Sequence, residues 1–90
     1  MVDIAESGIK GKDIKYWYYK TYEVEIQNNG DTITLDDFST AENLKTAQLN
    51  RKSDGSEVTC THAALNVITV ADATVTSATS CILYAFGRKA

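Results

Sequence analysis

Cys60 and His62 stand two apart in the run Val58-Thr59-Cys60-Thr61-His62, and His62 is the only histidine of the chain. On a strand, that spacing puts both side chains on one face, about 7 Å apart. A thiol and an imidazole are the raw material of nucleophilic catalysis when the base reaches the thiol in a cleft and a third group orients it. No third group is marked by the pattern, so the expectation is an inward thiol and a histidine at a strand edge. Cys81 would make a third nominal zinc ligand. It lies twenty-one residues further on, inside the apolar run Ser80–Gly87, so neither a metal nor any other cofactor is expected. Asp31, Asp36 and Asp37 bracket a short segment and could in principle attract calcium, but they lack the Asp-x-Asp-x-Asp-Gly ladder. Turn formation accounts for them better. Gly8 and Gly11 follow no strand, and no Gly-Lys-Ser/Thr occurs, so no phosphate-cradling loop is present. The residues assemble no catalytic set, and the expected protein is not an enzyme.

The aromatic residues are more informative. Tyr16, Trp17, Tyr18 and Tyr19 are consecutive and open the run "KYWYYKTYEVEIQNNGDTITL". From Tyr22 onward this run alternates strictly between apolar and polar, the mark of a half-buried strand. The parity places Tyr16, Tyr18 and Tyr22 on the core face with Val24 and Ile26. Trp17 and Tyr19 fall on the opposite face with Glu23 and Glu25. Large aromatics on a solvated sheet face commonly mark a contact surface. The alternative is that the N-terminal arm, or the loop 36–43, folds over them within the chain. Stacking aromatics also serve single-stranded nucleic acids and sugars. The acidic balance weighs against the first, and sugar sites ordinarily bring more polar partners.

The elements that must position these residues follow from composition and pattern. Ninety residues, 43% hydrophobic and 23% charged, make one small globular domain. At that size the core is thin, and oligomerisation often adds burial. The net charge is −3, without the basic field of a nucleic-acid binder. The first ten residues, MVDIAESGIK, lack the apolar stretch of a secretory signal, and no run has the ~18 to 20 apolar residues of a membrane-spanning helix. The expectation is synthesis in the cytoplasm, no membrane partner, and two separate thiols in place of a disulfide.

Residues 1–14 read as a flexible arm carrying three isolated aliphatics, Val2, Ile4 and Ile9, and residues 15–90 as a single β domain. Lys15–Gln27 is a strand. Asn28-Asn29-Gly30-Asp31 predicts a hairpin leading into Thr32–Leu35. Residues 39–51 support two readings. Ser39-Thr40-Ala41-Glu42 fits a helix capping box. A strand from Leu44 to Arg51 is favoured, because Ser53-Asp54-Gly55 is hairpin chemistry and Glu57–Thr61 needs an antiparallel partner. Asn66–Val70 and Ala73–Thr76 read as short strands, and Ser80–Gly87 as a central strand buried on both faces. The fold class expected is all-β: a small antiparallel sandwich or barrel of six or seven short strands with an extended N-terminal arm.

The order of these parts resembles small structural proteins of tailed viruses, namely capsid decoration proteins and similar virion accessories. The matching parts are the alternating strand before "NNGDTITL", the middle hairpin "SDGSEVTCT", the strand "NVITV", and the terminal strand "SCILYAFG" with its basic tail. The likeness covers residues 20–87 and consists of turn and strand grammar; the "YWYY" run and the two cysteines stand outside it. The resemblance implies a protein of the virion that binds the major capsid protein or another virion protein as a symmetric oligomer, a trimer first among the forms. It also implies an arm that reaches a neighbouring subunit and buries Val2, Ile4 and Ile9 there, with Trp17 and Tyr19 as further contact residues. A small module that binds carbohydrate or peptide through the aromatic patch is the other expectation.

Overall fold

The computed structural model describes residues 17–90. The arm 1–14, with Val2, Ile4 and Ile9, and also Tyr16, lies outside the described residues. Those that are described form seven strands and no helix: β1 Trp17–Ile26, β2 Thr32–Thr34, β3 Thr46–Arg51, β4 Glu57–Val58, β5 Cys60–Ala64, β6 Val67–Val70 and β7 Thr79–Arg88. They pair as two antiparallel sheets, β1-β7-β3-β4 and β2-β6-β5. The all-β expectation is met, and separate hydrogen-bonding of the two sheets makes the fold a sandwich.

The parity read from the β1 sequence holds. Tyr18, Tyr22 and Val24 pack against the core, and Ile26 is buried in it. Lys20 shares that parity but its ammonium escapes to the Asp37 carboxylate, 2.8 Å away, and lies 5.2 Å over the Tyr22 ring. The core is one cluster drawn from both sheets, with Leu49, Val58, Cys81, Leu83 and Ala85 from the first and Ile68 and Val70 from the second. Leu35, Phe38 and Leu44 from the loop before β3 close one end of it. Their approach needs a bare backbone: a Cβ built on Gly87 would stand 3.1 Å from Leu44 Cδ2 and 3.3 Å from Phe38 Cδ1.

The segment 39–51 is strand where it is regular. The capping-box residues make a local turn, in which Ala41 N–H donates to Ser39 Oγ at 3.0 Å. The Asp54-Gly55 hairpin forms as expected, with Gly55 at φ +76° and Arg51 N–H donating to the Ser56 carbonyl at 2.8 Å.

Four local expectations are corrected. Asn28–Asp31 is a turn, with Gly30 at φ +96°, but it does not make a hairpin. β1 pairs only with β7 and β2 only with β6, so the chain arches from one sheet to the other. Asp31 Oδ2 accepts the N–H groups of Gln27 and Asn28 at 2.7 and 2.9 Å, while Gly30 N–H donates to Val70 O at 2.8 Å. The turn is thus stitched to β6, and the strand before it is left to β7. Glu57–Thr61 is likewise split at Thr59, with β4 pairing β3 and β5 pairing β6. Ala73–Thr76 is not a strand. Asp72 Oδ1 accepts from Thr74 N–H and Oγ1–H at 3.0 and 2.6 Å, a side-chain turn that competes with extended pairing. Finally, β7 is central but buried on one side only. Cys81, Leu83 and Ala85 face the core, while Ile82 and Tyr84 are half-buried and Phe86 is exposed.

Candidate functional site

Trp17 and Tyr19 come to the outer face of the four-stranded sheet, the face turned away from the second sheet. β7 supplies their neighbours. Strand register aligns three rows across β1, β7 and β3: Tyr19–Phe86–Thr46, Thr21–Tyr84–Gln48 and Glu23–Ile82–Asn50. Period-two alternation keeps each row on one face. Trp17 stacks on Phe86, with ring centroids 5.7 Å apart and planes 14° from parallel. The Lys45 ammonium stands 5.6 Å over the Trp17 ring, so the segment leading into β3 touches the aromatic patch at that end. Tyr19 is 61% exposed and Phe86 37%.

Over β7 and β3 this face holds a shallow hollow that is open to solvent. A groove of about 450 Å³ is lined by Tyr19, Tyr84 and Phe86, by Thr46, Gln48 and Asn50, and by the backbone at Gly55 and Ala85. That volume lies in the range of small-molecule sites. Gln48 Nε2 donates to Asn50 Oδ1 at 2.9 Å, and Asn50 Nδ2 donates to the Gly55 carbonyl at 2.9 Å. The β3–β4 turn thereby fixes the orientation of both amides. Among the described residues no charged side chain lines the groove. On the strands and turns around it, Lys52 pairs with Glu23 at 2.6 Å, Arg88 with Glu42 at 3.3 Å and Lys45 with Glu42 at 3.9 Å.

Trp17 and Tyr19 were legible in the sequence as outer-face residues. Tyr84, Phe86, Gln48 and Asn50 were not singled out. For Tyr84 and Phe86 the signal was present in β7, where large side chains at even positions alternate with Cys81, Leu83, Ala85 and Gly87. It was masked because Ile82 and Tyr84 are as apolar as a core would require.

The thiol and the imidazole each meet a backbone carbonyl. Cys60 is half-buried, with Sγ 3.9 Å from the Ala47 carbonyl, and burial pushes its pKa up, opposite to what a thiolate nucleophile needs. The ring of His62 meets the Leu44 carbonyl through Nδ1 at 3.1 Å. A carbonyl only accepts, so Nδ1 carries the proton. Cys60 and Cys81 are both free thiols, on different sheets. Of the three aspartates, Asp31 holds its turn and Asp37 accepts from Lys20 and from Tyr22 Oη–H at 3.0 Å. Among the described residues no group of three His, Cys, Asp or Glu is placed to hold a metal ion.

Compared with protein-family models, with curated proteins and with solved structures, the chain matches none of them.

Proposed function

We propose that the protein is a non-enzymatic structural protein whose outer sheet face is a docking surface. Its finer assignment is a capsid decoration protein, resident in the virion, that binds a capsid lattice as a symmetric oligomer, with the trimer as the working form. The observation that carries this reading is the aromatic face, which no other described residue covers over Tyr19, 61% exposed. A domain this small places Trp17, Tyr19, Tyr84 and Phe86 together on the side of the sheet opposite its core, where folding alone does not require them. The partner on this reading is the major capsid protein or another virion protein, with a second contact from Val2, Ile4 and Ile9.

Solution mass, measured by size-exclusion chromatography with light scattering, tests the oligomer. A closed multiple of 9.9 kDa that is lost in Tyr19→Ala supports it, and a monomer at all concentrations refutes it. Deleting residues 1–14 should abolish particle binding and leave the β domain folded. Unchanged binding would remove the arm from the proposal.

The groove favours a second reading: a ligand-binding β module in which the same aromatic face holds a small ligand. Trp17 is the only tryptophan and stacks on a groove residue, so its emission reports occupancy directly. Silence of that emission across both glycans and peptides would dismiss this second reading.

A further inference from the structure

The groove over β7 and β3 has three properties that together select a ligand class. Its lining holds three aromatic side chains, its polar groups are two amides and the hydroxyls of Thr46, Tyr19 and Tyr84, and among the described residues it carries no charge. The last is informative in a chain with 23% charged residues.

We infer that this groove binds a neutral sugar chain. The inference rests on the ligand-binding reading above and names its ligand. A pyranose ring offers an apolar C–H face and a rim of hydroxyls. The C–H face suits the electron-rich faces of Tyr19 and Phe86. The hydroxyls both donate and accept, as the groove's polar groups do. Gln48 uses one N–H on Asn50, and Asn50 uses one on Gly55. Each amide keeps a second N–H, and Gln48 Oε1 remains an acceptor. Their mutual bonding orders these groups before a ligand arrives, which lowers the cost of binding.

The competing ligand classes fit less well. Nucleic acid binding draws its affinity from Lys and Arg on phosphates, and among the described residues neither lines the groove. An extended peptide gains affinity by pairing with a free strand edge. Here the floor is the face of β7, which is flanked by β1 on one side and β3 on the other, so its backbone groups are already spent on the sheet. A purely apolar ligand would strip water from the amides and return no hydrogen bonds.

The test titrates the full-length protein with soluble neutral tetrasaccharides of glucose, mannose, galactose and N-acetylglucosamine. Sialylated and sulfated oligosaccharides run beside them. Binding is read by Trp17 emission and, independently, by calorimetry. The expected result is saturable binding of at least one neutral tetrasaccharide, weakened tenfold or more in Phe86→Ala and in Gln48→Ala. Near-ultraviolet circular dichroism confirms that both variants are folded. Glu25→Gln, outside the groove, should bind as the parent does. Preference for the charged sugars, or neutral binding indifferent to both groove variants, overturns the inference. If no sugar binds but peptides selected from a displayed library do, and Gln48→Ala abolishes that binding, the sugar assignment falls and the ligand-binding reading stands. If neither class binds, both fall.

Discussion

Along β7, Cys81, Leu83 and Ala85 face the core and are at most 1% exposed, while Ile82, Tyr84 and Phe86 face the other way and remain half-buried or exposed. One strand and one alternation produce both sets. The inner set is small or aliphatic because a second sheet and the 35–44 loop must close over it. The outer set includes two of the chain's eight aromatic residues, and across β1 it gains Trp17 and Tyr19. Burying aromatics is the usual way to draw stability from them. Gathering them on the open side instead separates the two tasks of the sheet: the inner face holds the fold together, and the outer face is shaped for contact.

The largest test of that division is Leu83→Ala. Leu83 is fully buried, and truncation there should cost about 2–5 kcal/mol, read by urea denaturation. Gly87→Ala comes next, at about 1–3 kcal/mol. The added methyl has nowhere to go between Leu44 and Phe38 unless the packing shifts. Phe86→Ala, one residue away but on the other face, should cost only about 1 kcal/mol, the worth of its stack on Trp17. It should instead reduce partner or ligand binding. If Phe86→Ala destabilised the fold as much as Leu83→Ala, the outer face would be structural and the comparison would collapse.

Titration sharpens the contrast most gently. Tyr22, on the inner side of β1, is pushed up to about 12 from its ordinary 10, first by burial and then by its bond to Asp37. The folded state therefore favours neutral Tyr22. That contribution is complete below pH 10 and is lost as pH rises toward about 12. Asp37 shifts the opposite way: hydrogen bonds from Lys20 and then Tyr22 hold its carboxyl below the ordinary 3.8. Its contribution is present above that value and disappears as pH falls beneath it. Denaturation curves of Tyr22→Phe should flatten the alkaline loss, and those of Asp37→Asn the acid one. Binding at the groove, which no Asp, Glu, Lys, Arg or His among the described residues lines, should stay level between those limits. A bell-shaped binding profile there would point to a ligand held by charge.

Much of this architecture could be read from residues alone, because alternation is a local property. Val24 and Ile26 set the parity of β1, and Tyr18 and Tyr22 obeyed it. Asp54-Gly55 marked the β3–β4 hairpin, since tight hairpin turns favour a residue that tolerates positive φ. Asn28–Asp31 carried the same signal and led elsewhere. A positive-φ glycine specifies a turn but not which strand lies beside it, and here the carbonyls of Val75 and Val70 accept from the N–H groups of Asn29 and Gly30 and tie that turn to the second sheet's side. The Ala73–Thr76 stretch had β-branched composition, yet the Asp72 carboxylate held it as a turn.

Sequence by itself therefore determined the strand character, the inward and outward residues of β1, and Trp17 and Tyr19 as outer aromatics. It also separated the two thiols. Only tertiary structure decided that β7 would lie between β1 and β3, that its even side would face away from the second sheet, and that Tyr84, Phe86, Gln48 and Asn50 would meet in one groove. The physical reason is the range of the interactions. Side-chain alternation is set within two residues, whereas register between strands more than twenty residues apart depends on how the whole core packs.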